Sequence, residues 1–155
     1  MNKRIRLVGL VFGSLLVAGG AQATGVQIHG SQFDNYNGNQ STCPERYVNG
    51  IRTNCSFNTS LMLGLIKLDS TTAVDVWVDG SHSGTQTTSL TTYAYSYNGV
   101  LRASRASNAT SVSGNWARLM SFTAAEQTYY GYMSVLAVVP ASYNGMIYGV
   151  GVYNI

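Results

Sequence analysis

The chain has 155 residues, 45% of them apolar and 10% charged, with nine Lys or Arg against six Asp or Glu. Three of the nine bases fall within the first six residues, so six bases and six acids remain in residues 24–155. Because binding to nucleic acid or to an anionic membrane needs a basic patch, this balance speaks against both partners.

The first 23 residues have the pattern of an export signal. Three bases precede an apolar stretch over residues 7–18, and Ala21-Gln22-Ala23 fits the small-residue cleavage site of a signal peptide. The apolar stretch is shorter than the about 20 residues that a transmembrane helix needs. We therefore expect a signal peptide over residues 1–23 and one secreted or periplasmic domain over residues 24–155.

Short apolar or alternating stretches, separated by Gly, Asn and Ser, follow one another along residues 24–155, and none keeps a helical period. They predict strands near residues 26–28, 61–66, 73–78, 115–122, 130–139 and 146–153, a loop-rich region over residues 32–53, and a Thr-rich strand from residue 85 into a hairpin. About eight strands without helices imply an all-β fold, a single antiparallel β-sandwich of jelly-roll type.

Cys43 and Cys55 are the two cysteines of the chain, and both fall near the end of the predicted loop region. In an exported protein, an even pair across a short loop is most simply one disulfide, worth about 3 kcal/mol by the chain-entropy estimate. No Cys or His stands at zinc-ligand spacing from them, so we expect a Cys43–Cys55 disulfide and no metal site or cofactor.

Alternation over residues 73–79 places valines on one face of a strand and Asp75, Trp77 and Asp79 on the other. Two carboxylates beside an indole favour a sugar-binding surface, because the ring stacks on apolar C–H patches and the carboxylates accept hydroxyl hydrogen bonds. Side chains four residues apart on a strand lie about 13 Å apart, which exceeds both carboxyl separations used by glycosidases. The alternative is an outer strand with solubilising acids.

The next segment, Asp79-Gly80-Ser81-His82-Ser83, contains an acid, a base and two hydroxyls. Residues so close in one loop rarely converge on a reacting atom, and no nucleophile elbow is present, so we interpret the segment as a solvated turn. Residues 34–39 faintly resemble a calcium loop but lack its further acids, and a plain turn is expected there. No catalytic residue is predicted.

Residues 90–101 alternate in size and contain Asn98-Gly99, the strongest short hairpin signal. A type I′ turn at this dipeptide predicts three pairs across the hairpin: Tyr97 with Val100, Tyr95 with Arg102, and Tyr93 with Ser104.

Tyr93, Tyr95 and Tyr97 then share one face of the strand, and Arg102 is placed for a cation–π contact with Tyr95. If exposed, the stripe would be a platform for a glycan or a protein; if buried, it would be a tyrosine-rich core. The opposite face holds only Thr, Ala and Ser near the turn, so we expect most of these tyrosines to be buried.

Five segments together resemble a known group of proteins. They are His29-Gly30-Ser31, Asn49-Gly50-Ile51, Val76-Trp77-Val78-Asp79-Gly80, Thr92-Tyr93-Ala94-Tyr95-Ser96-Tyr97-Asn98-Gly99 and Arg118-Leu119-Met120-Ser121-Phe122. In this order they resemble small, mostly uncharacterised secreted proteobacterial proteins with a jelly-roll-like β-sandwich. The resemblance implies a fold and a compartment, and it brings no activity.

These features favour a non-catalytic, secreted or periplasmic β-sandwich that acts as a binding or envelope-associated module, with a glycan or an envelope protein as its partner. One alternative is a carbohydrate-binding module or an accessory domain of a carbohydrate-active system; another is a self-assembling extracellular structural protein. The oligomeric state is left open. The candidate ligand-binding residues are Trp77, Asp75, Asp79, Tyr93, Tyr95, Tyr97 and Arg102.

Overall fold

The computed structural model of the protein describes residues 25–36, 42–67, 72–127 and 130–155. The predicted signal peptide and part of the predicted turn over residues 34–39 lie outside the described residues. None of the described helices is long and apolar enough to cross a membrane.

Eleven strands occur in the described residues, more than the about eight expected. They are β1 (Gly25–His29), β2 (Phe33–Asn35), β3 (Pro44–Tyr47), β4 (Gly50–Thr53), β5 (Thr59–Lys67), β6 (Val74–His82), β7 (Gln86–Tyr95), β8 (Leu101–Ser111), β9 (Gly114–Phe122), β10 (Tyr132–Val139) and β11 (Gly145–Asn154). Two single-turn 3₁₀ helices cover Gly30–Gln32 and Ala124–Glu126. The count was too low because three short strands, β2 to β4, lie in the region expected to be a loop.

The strands form two antiparallel sheets. The six-stranded sheet has the order β3-β4-β11-β6-β9, with β1 also paired to β11, and the five-stranded sheet has the order β2-β5-β10-β7-β8. Strand β11 pairs with β6 along its whole length, while β4 and β1 pair with successive parts of β11. The all-β, jelly-roll-like sandwich expected from the alternation is confirmed.

The core lies between the two sheets. Val74, Val76 and Val78 of β6 are fully buried while Asp75, Trp77 and Asp79 face outward, as the alternation predicted. The core cluster draws further residues from both sheets, including Leu61, Leu63, Leu90, Met120, Phe122, Val135, Ile147, Val150 and Val152. Burial of these aliphatic and aromatic side chains is the main stabilising term, at about 25 cal/mol per Å² of apolar surface.

The predicted disulfide is present between Cys43 and Cys55, whose Cα atoms are 5.2 Å apart. It joins the two ends of the β3–β4 hairpin, and the Asn54 amide donates to the Cys43 carbonyl at 2.9 Å beside it. The cross-link therefore fixes a hairpin whose two strands have only four residues each.

The chain reverses at Asn98-Gly99 as predicted, but the turn is not type I′. The Gly99 amide donates to the Ser96 carbonyl at 2.9 Å, and Gly99 has φ of 81° while Asn98 does not have a positive φ. A type I turn followed by a left-handed glycine has this geometry. Tyr95 therefore pairs with Leu101, and Arg102 becomes the extra residue of a bulge, so its predicted place opposite Tyr95 is wrong.

The burial predicted for the hairpin tyrosines is also wrong. Thr92 and Ala94 are fully buried, whereas Tyr93 and Tyr95 lie half-buried on the outer face of the five-stranded sheet. The small side chains face inward because large residues of the opposite sheet fill the space; the Thr92 hydroxyl donates to the Met120 sulfur at 3.2 Å. The tyrosines are thereby left on the surface.

Candidate functional site

A groove of about 420 Å³ crosses the outer face of the six-stranded sheet. Two glycines of β11, Gly149 and Gly151, form its floor. In the sheet, Gly149 stands between His29 of β1 and Asp79 of β6, and Gly151 stands between Gln27 and Trp77. Because neighbouring strands lie about 4.8 Å apart, leaving the central strand without side chains opens a channel about 10 Å wide between β1 and β6.

Tyr153 lies over the floor of the groove at one end. A Cβ on Gly151 would come within 2.6 Å of the Tyr153 ring, and a Cβ on Gly25 would come within 2.3 Å of the same ring. The ring therefore rests on the backbone of two strands where only glycine allows it. The Gln27 side-chain amide donates to the Tyr153 hydroxyl at 2.9 Å and holds the ring in this position.

Tyr148 closes the opposite end. The pairing of β11 with β6 shifts by one residue between Ile147 and Gly149, so Tyr148 occupies a bulge. Its hydroxyl donates to Ser81 Oγ at 2.9 Å. The two tyrosines thus flank the glycine floor, and both are held by hydrogen bonds to neighbouring strands.

Asp79 differs from the other acids of the described chain. Its carboxylate has no hydrogen-bond or ion-pair partner among the described residues, although it lines the groove and is exposed. The four other described acids are engaged: Asp34 with Arg46, Glu45 with Tyr47, Asn54 and Tyr143, Asp75 with Ser121, and Glu126 with Arg105. An exposed carboxylate in a groove is available to accept hydrogen bonds from a ligand.

His29 faces Asp79 across Gly149. The Ser31 amide donates to His29 Nδ1 at 3.2 Å, so in the neutral ring Nδ1 is an acceptor and the proton lies on Nε2. The groove therefore has a carboxylate acceptor on one side of Gly149 and an imidazole donor on the other.

The predicted residues of β6 divide between the groove and its margin. Trp77 is 39% exposed and pairs with Gly151 of the groove floor, but it is not among the residues that line the groove. Asp75 pairs with Tyr153 across the sheet and its carboxylate accepts from Ser121 Oγ at 2.6 Å, so it lies at the margin. Of the three, Asp79 lines the groove, Trp77 borders its floor in the register of the sheet, and Asp75 lies at the margin.

The predicted hairpin residues form a different surface, on the outer face of the five-stranded sheet. Tyr95, Tyr97 and Tyr132 line a second groove of about 460 Å³ with Met62, Gly99 and Ser134. The Tyr93 ring lies 6.2 Å from the Tyr95 ring. Arg102 is exposed in the β8 bulge and does not line this groove.

The segment predicted as a solvated turn, residues 79–83, is instead mostly strand, because β6 continues through His82. The imidazole is buried, with Nδ1 2.7 Å from Ser111 Oγ and Nε2 2.8 Å from Thr88 Oγ1. Burial lowers the pKa of His82, and the nearby Arg118 lowers it further. With both nitrogens bonded to hydroxyls, one of them that of the fully buried Thr88, His82 is a structural residue.

Glu45 forms a structural cluster at the far edge of the six-stranded sheet. Hydrogen bonds from Tyr47, Tyr143 and Asn54 hold the pKa of its carboxyl below its usual range. The Arg52 guanidinium lies 4.1 Å from the centroid of the Tyr47 ring and 4.8 Å from that of the Tyr143 ring. These contacts fix the 140–145 loop against β3 and β4, and they give both carboxylate oxygens of Glu45 internal partners.

Sequence reasoning missed Gln27, His29, Tyr148 and Tyr153, which are four of the nine residues lining the first groove. The available signal was the segment Tyr148-Gly149-Val150-Gly151-Val152-Tyr153, where glycines alternate with core residues between two tyrosines. Two outward glycines in one strand mark a place where side chains or a ligand approach the backbone closely. No group of three or more His, Cys, Asp or Glu in the described ranges is placed to hold a metal ion.

No protein-family model and no curated protein matches the chain. Among solved structures, the Gx strain of infectious bursal disease virus is 10% identical over 87% of this chain and 32% of that chain, with a TM-score of 0.52. The T13 particle of this virus is 12% identical over 97% and 35%, with a TM-score of 0.51. The chain spans about a third of these viral chains.

A family 35 carbohydrate binding module from Clostridium thermocellum is 11% identical over 86% of this chain and 100% of that chain, with a TM-score of 0.48. At these identities, similarity to the viral chains shows a shared jelly-roll-like sandwich fold and nothing about ligands.

Proposed function

We propose that residues 24–155 form an exported, non-catalytic module that binds a carbohydrate chain in the groove between β1 and β6. The observation that carries the proposal is the Tyr153 ring held over Gly25 and Gly151 in a groove that also contains the unpaired Asp79 carboxylate. The Cys43–Cys55 disulfide supports the exported compartment, because such bonds persist in oxidising environments.

The arrangement fits the surface chemistry of a sugar. A sugar ring has apolar C–H patches that stack on aromatic faces, and hydroxyls around its edge that need donors and acceptors. The groove supplies an aromatic ring from Tyr153, an acceptor from Asp79 and a donor from His29, and the exposed Trp77 pairs with Gly151 at its border. It is open and about 420 Å³ in volume, within the range of ligand pockets.

The acid content favours binding over hydrolysis. Most glycosidases use two carboxyl groups that flank the scissile bond at defined separations of about 5 to 10 Å. Among the residues lining the groove, Asp79 is the one carboxylate. Asp75 stands four positions away on the same strand and is bonded to Ser121, so it is placed too far along β6 to serve as the second.

The chain offers an internal fluorescent reporter for the test. Its two tryptophans differ in position: Trp77 borders the groove and is 39% exposed, whereas Trp116 is in the core and is 7% exposed. A glycan array on the processed protein would first identify candidate sugars. Titration with such a sugar should then shift the tryptophan emission, and Trp77→Phe should remove the shift.

Asp79→Asn provides the test of the polar contact, and Asp75→Asn is its matched control on the same strand and face. We expect Asp79→Asn to weaken binding about 10-fold or more, since a hydrogen bond to a charged group contributes about 1.5–3 kcal/mol. Asp75→Asn should leave affinity unchanged. Equal effects of the two substitutions, or an unchanged emission spectrum with a bound sugar, would contradict this site.

A further inference from the structure

We propose that the second groove, called the tyrosine groove because Tyr95, Tyr97 and Tyr132 line it, is a second sugar-binding site that is selective for neutral polysaccharides. With a sugar chain in each groove, one molecule would cross-link two polysaccharide chains. The inference rests on the proposed function for the chemistry of the ligand, but it concerns a different surface. Tyr132 pairs with Tyr95 across β10 and β7, and Tyr97 follows in the turn, so three rings surround the groove.

The tyrosine groove is deep because residues with small side chains lie between its rings. The β10–β5 pairing shifts between Met133 and Val135, which places Ser134 opposite two residues of β5. Ser134 has a short side chain and Gly99 at the rim has none. The tyrosine rings therefore project above these residues and are not flanked by side chains of similar size. The resulting volume of about 460 Å³ matches that of the first groove.

The tyrosine hydroxyls of the second groove differ from those on the six-stranded sheet. Four tyrosine hydroxyls elsewhere, those of Tyr47, Tyr143, Tyr148 and Tyr153, are hydrogen-bonded to protein groups. The hydroxyls of Tyr95, Tyr97 and Tyr132 have no protein partner within the described residues. Three rings that combine an apolar face with a free hydroxyl are suited to a ligand that also alternates apolar patches and hydroxyls.

Charge decides what kind of ligand fits. Neither β7 nor β10 contains an acidic or basic residue, and none of the six residues lining the groove is charged. Lys67 at the end of β5 pairs with Tyr132, so one basic position borders the groove, but the lining itself offers no counter-charge to an anionic polymer or a charged peptide. An acyl chain would leave the three hydroxyls unpaired. A neutral polysaccharide satisfies both the uncharged lining and the hydroxyls.

The two grooves face in opposite directions. They lie on the outer faces of two sheets that stack about 10 Å apart, so the sandwich separates them and a ligand lying in one cannot enter the other. A molecule with both sites occupied therefore holds two chain segments, which links polymers into a network. This is an activity that a single-site module lacks.

The test combines affinity electrophoresis in gels containing xyloglucan, galactomannan or polygalacturonate with light scattering of the same mixtures in solution. Trp77→Ala/Asp79→Asn disables the first groove and Tyr95→Ala/Tyr97→Ala the second; Tyr36→Ala, another exposed tyrosine, is the control. We expect a neutral polysaccharide to retard the protein and to scatter strongly with it. Each double variant should still be retarded, with apparent affinity lower by tenfold or more, and should not raise scattering.

The outcomes separate the two proposals. If the Tyr95→Ala/Tyr97→Ala variant scatters like wild type, or if the first-groove variant loses all retardation, the second site is refuted and the proposed function stands. If only the Tyr95→Ala/Tyr97→Ala variant loses retardation, the proposed function is wrong and cross-linking fails with it. Retardation by polygalacturonate through the tyrosine groove, or scattering without any polysaccharide, would refute the neutral-sugar occupant. No retardation by any of the polymers would refute both.

Discussion

The substitution Gly151→Ala tests the role of the Tyr153 ring in the first groove, because we expect it to move the ring without destabilising the fold. The new Cβ would lie 2.6 Å from Cε2 and 2.8 Å from the hydroxyl of Tyr153, so the ring must move. Those atoms are the far end of a side chain that can rotate outward, and β11 itself need not shift. We therefore expect the substitution to displace the ring while the sandwich stays intact.

The expected magnitudes follow from two opposing terms. Alanine in a strand interior is about 0.5–1 kcal/mol more favourable than glycine, while loss of the Gln27–Tyr153 hydrogen bond costs about 0.5–1.5 kcal/mol. The free energy of unfolding should thus change by less than about 1 kcal/mol. Loss of aromatic stacking on the sugar, about 0.5–1.5 kcal/mol by analogy with aromatic pairs, should weaken binding about 2- to 13-fold.

Urea unfolding and titration of the Trp77 emission with the bound sugar measure the two quantities. The control is the same substitution made in a Tyr153→Ala background, where Gly151→Ala should have no further effect on affinity because the ring is already absent. An equal loss of affinity in both backgrounds would show that Tyr153 does not mediate the effect. Destabilisation by more than about 2 kcal/mol would show that the backbone, and not the ring, absorbs the clash.

Four other predictions concern the fold. The pKa of buried His82 is lowered from its ordinary 6.5, so the unfolded chain takes up the proton first; urea stability should fall as pH drops from 7 to 5, and His82→Gln should flatten this slope. Reducing Cys43–Cys55 should lower the free energy of unfolding by about 3 kcal/mol, measured with and without reductant. Phe122→Ala should cost about 3–5 kcal/mol in the same assay, since the ring is fully buried. Gly99→Ala should cost about 1–2 kcal/mol because φ is 81° with open space around the Cβ; an unchanged midpoint would refute the turn assigned here.

Much of the sandwich could be predicted because alternation is visible wherever a strand has one apolar face. Val74, Val76 and Val78 were correctly placed inside for this reason. Strands β2 and β3 could not be found this way, since segments of three or four residues rich in Asp, Asn, Glu and Arg show no apolar period. Their pairing with β5 and β4 is a tertiary effect.

The orientation of β7 was wrong because size alone does not decide which face is buried. Its Thr88, Thr92 and Ala94 face seemed too small for a core, yet Trp116 and Met120 of the opposite sheet supply the missing volume. That complementarity lies between strands far apart in sequence, where a local pattern does not report it. The same limit hid the first groove, whose floor consists of residues without side chains.

Strand β6 also offers positions at which the surface of this fold can be changed without changing its core. One of its faces is committed to packing, while the other presents positions 75, 77 and 79 to solvent. Exchanges at outward positions that keep strand propensity usually alter stability by less than about 0.5 kcal/mol. A library randomised at these three sites should therefore retain folding in most members, which makes this strand a practical scaffold for selecting new recognition properties.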